Sequence, residues 1–579
     1  MSTPLNRRTF LGAAAAASVP LIPGLSAFAS PADAAEVPDA EAHVPPDAST
    51  QTGMDADLME VTIPALHALY ESKKYTVTQV THWYLARIAR YNPVYRALIH
   101  VDSANALATA AAQDKAAKAA GAKFQRTPLW GVPMVIKANT SVKGLVTSAG
   151  WYGYLVPGLE LIAPEDAPIV AKLRAAGAVI LGQTNMPDFA ASDTNFSTAY
   201  GRTGNAYNWR CSPGGSSGGT VTAVTSNLCV IGTGTDTANS IRMPAATSSV
   251  VGVLPTRGLV SIAGIQPLDW LRDNTGPIAR TVHDAAIVLS VMAGEDTKDF
   301  RTKGSSTQAQ KGPYTNFLKS KTLEGKRFGV PAFIMASAEA PATGGGRGGT
   351  PLQPVTRAMF MKALDGIRAA GATIVIDDAL FGADFVALTR QIVTRPYIGE
   401  GTENFLHEFG PAAYKSPLEY SQATGGFLPT SATGIASQPG ADARPAGRKV
   451  ESDPEADATL WEPQRRAVAA YDEALDKFKL DGLVYPAIQM PPNDEIALLL
   501  IGQRSGGPHS NTGWVNQIGV PAIAVPAGFY DDGLPFGLEF SAKRWRDGDL
   551  LGWVFAYEQS TKLRRPPSLI DKVPPKVAG

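Results

Sequence analysis

Residues 234–245 read GTDTANSIRMPA. The stretch combines small residues, one acid–base pair (Asp236 and Arg242) and a serine, Ser240, set just before a helix-like run. No histidine lies near it in the sequence. A serine hydroxyl is a poor nucleophile until a base takes its proton. If Ser240 reacts, its base must come from elsewhere in the chain.

Two upstream segments bear on that base. CSPGGSSGGT (211–220) reads as a flexible linker when taken alone. It fails as a phosphate loop because no Gly-Lys-Ser/Thr closes it. Gly215–Gly219 matches Gly-x-Ser-x-Gly, but a nucleophile elbow needs an apolar strand before it, and Asn205–Arg210 is not strand-like. The second segment, Pro128–Lys137, is a short apolar strand that ends in a lysine. Taken alone, Lys137 reads as a surface lysine capping that strand.

Taken together, Lys137 in GVPMVIK, Ser216 in PGGSSGG and Ser240 in GTDTANSIR, 24 residues after Ser216, resemble the amidase signature family of Ser–cis-Ser–Lys amidohydrolases. The resemblance extends through LWGVPMVIKANTSVKG (129–144), LRAAGAVILGQTNMPDFA (173–190), TGPIARTVHDAA (275–286) and IGVPAIAVPAGFYDDGLPFGLEF (518–540). It implies an α/β fold: one large domain whose central mixed β-sheet is covered by helices on both faces. It also implies that Ser240 is the nucleophile, that Ser216 relays its proton after a cis Gly215–Ser216 peptide, and that Lys137 is the base. A lysine can accept a proton only when neutral. Its free pKa is about 10.4, and burial lowers it. The backbone amides of Thr237, Ala238, Asn239 and Ser240 are implied to form an oxyanion hole. Ser217, Asp236 and Arg242 are assigned supporting roles, the last two as an ion pair that holds the loop. The implied substrate is a small-molecule amide; esters and carbamates share the acyl-enzyme route. No cofactor and no metal are implied.

Two positions depart from the family pattern. Ala238-Asn239 stands where Gly-Gly is common, and a left-handed alanine costs about 1–2 kcal/mol. Ala138 follows the lysine where an aspartate is common; losing that carboxylate does not disfavour a neutral Lys137. The first departure motivates an alternative, a catalytically weakened ligand-binding member of the fold. A second alternative is the glutaminase subunit of an amidotransferase. A third, mechanistically distinct, is a Ser-His-Asp hydrolase using Ser217 with His283, His407 or His509.

Bulk properties fit a soluble globular protein. Lys+Arg and Asp+Glu both number 52, which gives no reason to expect a nucleic-acid partner. A hydrophobic content of 44% supports a large core. Cys211 and Cys229 are too few for a disulfide framework. No two of the seven histidines sit three or four residues apart, so no helical zinc motif is present.

At the N-terminus, NRRTFLG (6–12) precedes an Ala-rich apolar run and small-x-small sites. This reads as a twin-arginine export signal over 1–34, followed by a disordered linker over 35–54 and one domain over 55–575. The expected location is periplasmic or secreted. The apolar run is short of the roughly 20 residues that span a bilayer, so no stable membrane insertion is expected. Oligomeric state is left open.

Periodicity predicts helices from Met54 to Ala122, over Ala167–Ala176 and over Gln464–Phe478. It predicts strands at Val179–Gly182, Leu228–Ile231 and Gly482–Tyr485, and a strand pair at Pro521–Pro526 and Pro535–Phe540 around Asp531-Asp532-Gly533. Residues 300–460 look divergent and loop-rich, notably Thr343–Thr350 and Thr424–Arg448. Phe385, Tyr397, Phe405, Tyr420 and Trp514 are either pocket-lining or ordinary core aromatics.

Overall fold

The computed structural model describes residues 48–335, 350–411, 413–424 and 448–573. The expected export signal lies outside them, as do most of the expected loops at 343–350 and 424–448. A helix at Ala48–Leu58 begins inside the segment expected to be a linker.

From Thr52 onward the chain forms one compact unit organised on a mixed sheet. Its strands are β1 (Leu98–Val101), β2 (Pro133–Lys137), β3 (Val179–Thr184), β6 (Ile231–Asp236), β7 (Val251–Leu254), β8 (Asn274–Ala279), β9 (Arg327–Val330), β10 (Thr373–Ile376), β11 (Gly482–Pro486), β12 (Ala522–Phe529) and β13 (Pro535–Ser541). A separate two-stranded ribbon pairs β4 (Phe196–Ser197) with β5 (Gly201–Arg202). The spatial order in the large sheet is β1-β3-β2-β6-β8-β7-β12-β13-β11-β9-β10. β3, β2 and β6 run parallel to one another, as do β11, β9 and β10. Antiparallel pairs join these groups through β8, β7, β12 and β13.

Every residue of β2, β3, β6, β7, β8, β11 and β13 is buried. Strands covered on both faces have no solvent side, so their sequences run apolar rather than alternating. Helices flank the sheet. Val77–Tyr95 starts at Thr76 in a capping box with Gln79. Val282–Met292 starts at Thr281, whose hydroxyl accepts from the Asp284 N–H.

Three expectations are corrected. The helical run from Met54 to Ala122 is interrupted by β1. There Pro93 and a left-handed Arg96 end the preceding helix, and the Asn92 side chain bonds both the N–H and the carbonyl of Leu98. The strand expected at Leu228–Ile231 begins only at Ile231, because the Leu228 N–H still bonds Ala223 in the turn out of the helix Gly218–Thr225, and Val230 is the first residue to reach β2, at the Pro133 carbonyl. Residues 300–460 are more regular than expected. They contain β9, β10 and helices at Pro354–Ala369, Ala383–Arg390 and Ile398–Phe409. β10 is an edge strand with no buried residue, so it carries no hydrophobic alternation to read.

The aromatic candidates are core residues. Phe385, Tyr397 and Trp514 join a buried cluster with Phe381 and Tyr471. Phe405 and Tyr420 pack with Trp151 and Tyr154.

β6 is glycine-rich for a steric reason. A Cβ on Gly234 would lie 2.8 Å from Ser217 Oγ and 2.8 Å from carbons of Ile241 and Ile278. Gly234→Ala is therefore expected to destabilise the protein by about 1–3 kcal/mol, the range for overpacking a core. A urea unfolding midpoint checks it.

Candidate active site

Lys137 is the last residue of β2, and β2 lies beside β6. That register puts the lysine amine among hydroxyls carried by β6 and by the glycine-rich turn before the helix Gly218–Thr225. Nζ lies 2.7 Å from Ser216 Oγ, 3.0 Å from Ser217 Oγ and 2.8 Å from Thr235 Oγ1. Lys137 and Ser216 are fully buried, and Ser240 is 5% exposed. The peptide between Gly215 and Ser216 is cis. The Ser217 N–H donates to the Ser240 carbonyl at 3.1 Å, which ties the turn to the loop that carries Ser240.

Burial pushes the Lys137 amine down to about 7, against the upward pull of Asp236 and Asp273. No carboxylate bonds Nζ among the described residues. The three hydroxyls can accept from the ammonium, and they can also serve a neutral amine, with two N–H donors and one lone pair. Ser217 gives its own proton to the Thr235 carbonyl at 3.2 Å, leaving its oxygen free to accept from Nζ. Thr235 Oγ1 already accepts from Asn139 Nδ2 at 3.1 Å and can accept a second donor from Nζ. That assignment leaves the Nζ lone pair to the Ser216 hydroxyl.

The loop after β6 carries a second cluster of buried charge. Arg242 bonds Asp236 at 3.1 Å and Glu539 at 2.7 Å, with all three side chains fully buried. Its guanidinium also donates to Thr512 Oγ1, Asn516 Oδ1 and the Ala238 carbonyl. Asp236 Oδ2 accepts the Ile241 N–H at 2.9 Å. Burial pushes the Glu539 carboxyl up to about 7 even against Arg242. Asp236 is thus bonded by a guanidinium and by backbone amides, and not by the lysine.

The N–H groups of Thr237, Ala238, Asn239 and Ser240 donate to no protein acceptor among the described residues. Neither Ala238 nor Asn239 adopts a positive φ. The conformational penalty expected for replacing Gly-Gly is therefore not incurred in this loop. The Asn239 side chain turns to Asp193 at 3.3 Å, and the Thr237 hydroxyl donates to Asp273.

All the residues singled out in the sequence gather here: Lys137, Ser216, Ser217, Asp236, Thr237, Ala238, Asn239, Ser240 and Arg242. Ser217 bonds Lys137 and Thr235 and none of His283, His407 or His509 among the described residues. Sequence reading missed Thr235, Asn139, Glu539 and Asn516. Glu539 carried a signal, an acid in the middle of an apolar strand. No group of residues able to hold a metal ion occurs among the described residues.

A family model described as Amidase matches residues 79–551. The chain is similar to a glutamyl-tRNA(Gln) amidotransferase of Acinetobacter baumannii, being 31% identical to one of its subunits over 87% of this chain and 97% of that protein. It is similar to a probable amidase of Arabidopsis thaliana, 30% identical over 89% of this chain and 92% of that protein. Among solved structures it resembles the native peptide amidase of Stenotrophomonas maltophilia. That match has a TM-score of 0.71 and 30% identity, and covers 88% of this chain and 99% of that one.

Arg242→Met leaves Asp236 and Glu539 buried without their cation. It is expected to cost about 3–5 kcal/mol of stability, measured by urea unfolding.

Proposed function

The chain belongs to the amidase family, and from that premise we propose that it is a hydrolase of linear carboxylic amides working through an acyl-serine intermediate. The observation that carries the reading is the buried Lys137 amine, 2.7 Å from Ser216 Oγ and pushed down to about 7. Ser240 Oγ attacks the carbonyl carbon of the amide and passes its proton to Ser216, whose own proton moves to Lys137 Nζ. Charge developing on the carbonyl oxygen is met by the free N–H groups of residues 237–240. Collapse of the tetrahedral adduct breaks the C–N bond. The proton returns along the same relay to the leaving amine, and water then releases the acid from Ser240.

Ser217 and Thr235 orient the amine and compensate its burial. Asp236 and Arg242 fix the loop that presents the N–H groups. The similarity to a peptide amidase makes peptide amides one substrate class to examine. The similarity to amidotransferase subunits supports a second reading, in which glutamine is the amide cleaved. The NRRTFLG segment supports export by the twin-arginine route to the periplasm or medium, and an exported chain would be separated from cytoplasmic tRNA.

A panel of peptide amides, anilides, aliphatic amides, carbamates and glutamine separates these readings. Turnover confined to glutamine would favour the amidotransferase one. Failure of a fluorophosphonate to label Ser240 would favour a ligand-binding protein. Lys137→Ala is expected to slow turnover by roughly 10²–10⁴-fold, the usual worth of a general base. The rate should rise with pH through about 7 and then level, because Nζ accepts a proton only once it has lost its own. Thr235→Val removes an acceptor that favours the ammonium form. It should move the midpoint of that profile to lower pH.

A further inference from the structure

Outside the site described above, a cavity of about 160 Å³ is lined by Arg257, Arg301 and Arg544, with Gln464 and the rings of Phe300 and Trp461 among its walls. Arg301 is paired with Asp299 through two hydrogen bonds of 2.9 and 2.8 Å. The other two arginines have no carboxylate partner among the described residues. Arg257, only 9% exposed, spends its guanidinium on the carbonyls of Leu271, Asn516 and Gln517. Arg544 makes no hydrogen bond among the described residues, and its Nε is buried and unpartnered. The Nε of nearby Arg272 is likewise buried without an acceptor.

Aspartates lie near these arginines but form no ion pair with Arg257, Arg272 or Arg544 among the described residues. Asp269 lies near Arg272 and Arg257; one of its oxygens accepts from the Thr394 hydroxyl, the other has no partner among the described residues, and burial pushes the carboxyl up. Asp547, near Arg544, accepts from the N–H and hydroxyl of Thr256 and is pushed up to about 6 by burial. Asp472 is also near Arg544 and is pushed up by burial. The Arg257 guanidinium is pushed down to about 9 by burial and by the charges of Arg544, Arg301 and Arg272. Gly519 preserves the space: a Cβ there would lie 2.7 Å from Arg257 Nη2.

A buried guanidinium without a counter-charge is costly, and its planar fork matches a carboxylate or phosphate. We propose that this cavity is a binding site for a small oxyanion, a carboxylate or phosphate group, held by the Arg544 guanidinium, with the charge of Arg257 beside it. The site sits behind the loop that presents Ser240. Arg257 holds the carbonyl of Asn516, whose side chain bonds Asp236. Arg301 holds the carbonyl of Asp273, whose carboxylate accepts from Thr237. A bound anion therefore relieves repulsion among arginines that brace both segments, and it stabilises the fold by mass action.

Calorimetric titration and thermal unfolding of the full chain test the proposal. Inorganic phosphate and acetate are used in separate arms, each against sodium chloride of equal ionic strength. Saturable binding, with a rise in unfolding temperature that chloride does not give, is expected from at least one anion. Saturation by phosphate alone identifies a phosphoryl ligand, and saturation by acetate alone a carboxylate. Arg544→Gln, which breaks no described hydrogen bond, should weaken binding by roughly tenfold or more, equivalent to about 1.4 kcal/mol. Arg544→Lys should retain part of it. No saturable effect from either anion overturns the proposal, as does unchanged binding by Arg544→Gln; neither result bears on amide cleavage.

Discussion

The site depends on one constraint: a lysine amine is buried where no carboxylate bonds it, so it gives up its proton near neutrality instead of at its ordinary value. Lys137 reaches that position because β2 ends beside β6, in a sheet whose central strands are covered on both faces. Three hydroxyls replace the water that the amine gives up. Those of Ser217 and Thr235 receive its N–H groups, and the remaining one, on Ser216, lies 2.7 Å from the nitrogen. A carboxylate in the place of any of them would restore the charge and remove the base.

The neighbouring charged cluster serves the same constraint. Asp236 follows Thr235 directly in the chain, so an acid stands next to a residue that bonds the lysine. Its carboxylate is turned to Arg242, Asn516 and the Ile241 amide, and Glu539 shares the same guanidinium. Burying such a triad brings little net stability. What it supplies is geometry: the loop is held with four consecutive N–H groups left open, and the carboxylate next to Thr235 is bonded to Arg242 instead of to the lysine. The polarity of the site is thereby divided between a neutral relay and a sealed ion network.

Much of this was legible in the sequence, because the key residues sit in short segments with fixed local geometry. Lys137 ends an apolar strand, Ser216 sits among glycines, and Ser240 precedes a helix. The large mixed sheet followed from the resemblance that these segments carry. What escaped did so for physical reasons. Thr235 and Asn139 act through a neutral amine and leave no charge pattern to notice. Asn516 comes from 280 residues beyond Asp236, and only the packed sheet brings it there. β6 reads poorly as a strand because its glycines answer to close approach, Gly232 by Thr220 and Val135 and Gly234 by Ser217, Ile241 and Ile278, not to strand propensity. β10 was hidden because an edge strand with little burial has no periodic signature. The expected cost at Ala238-Asn239 assumed a left-handed backbone that the loop does not adopt.

An uncharged Lys137 near neutrality is tested most directly by titrating that side chain itself. Carbon-13 labelling at the lysine ε position, with the resonance assigned by loss in Lys137→Arg, follows its protonation by NMR. A midpoint at about 7 is expected. A midpoint near the ordinary value of about 10.4 would contradict a neutral base at this position.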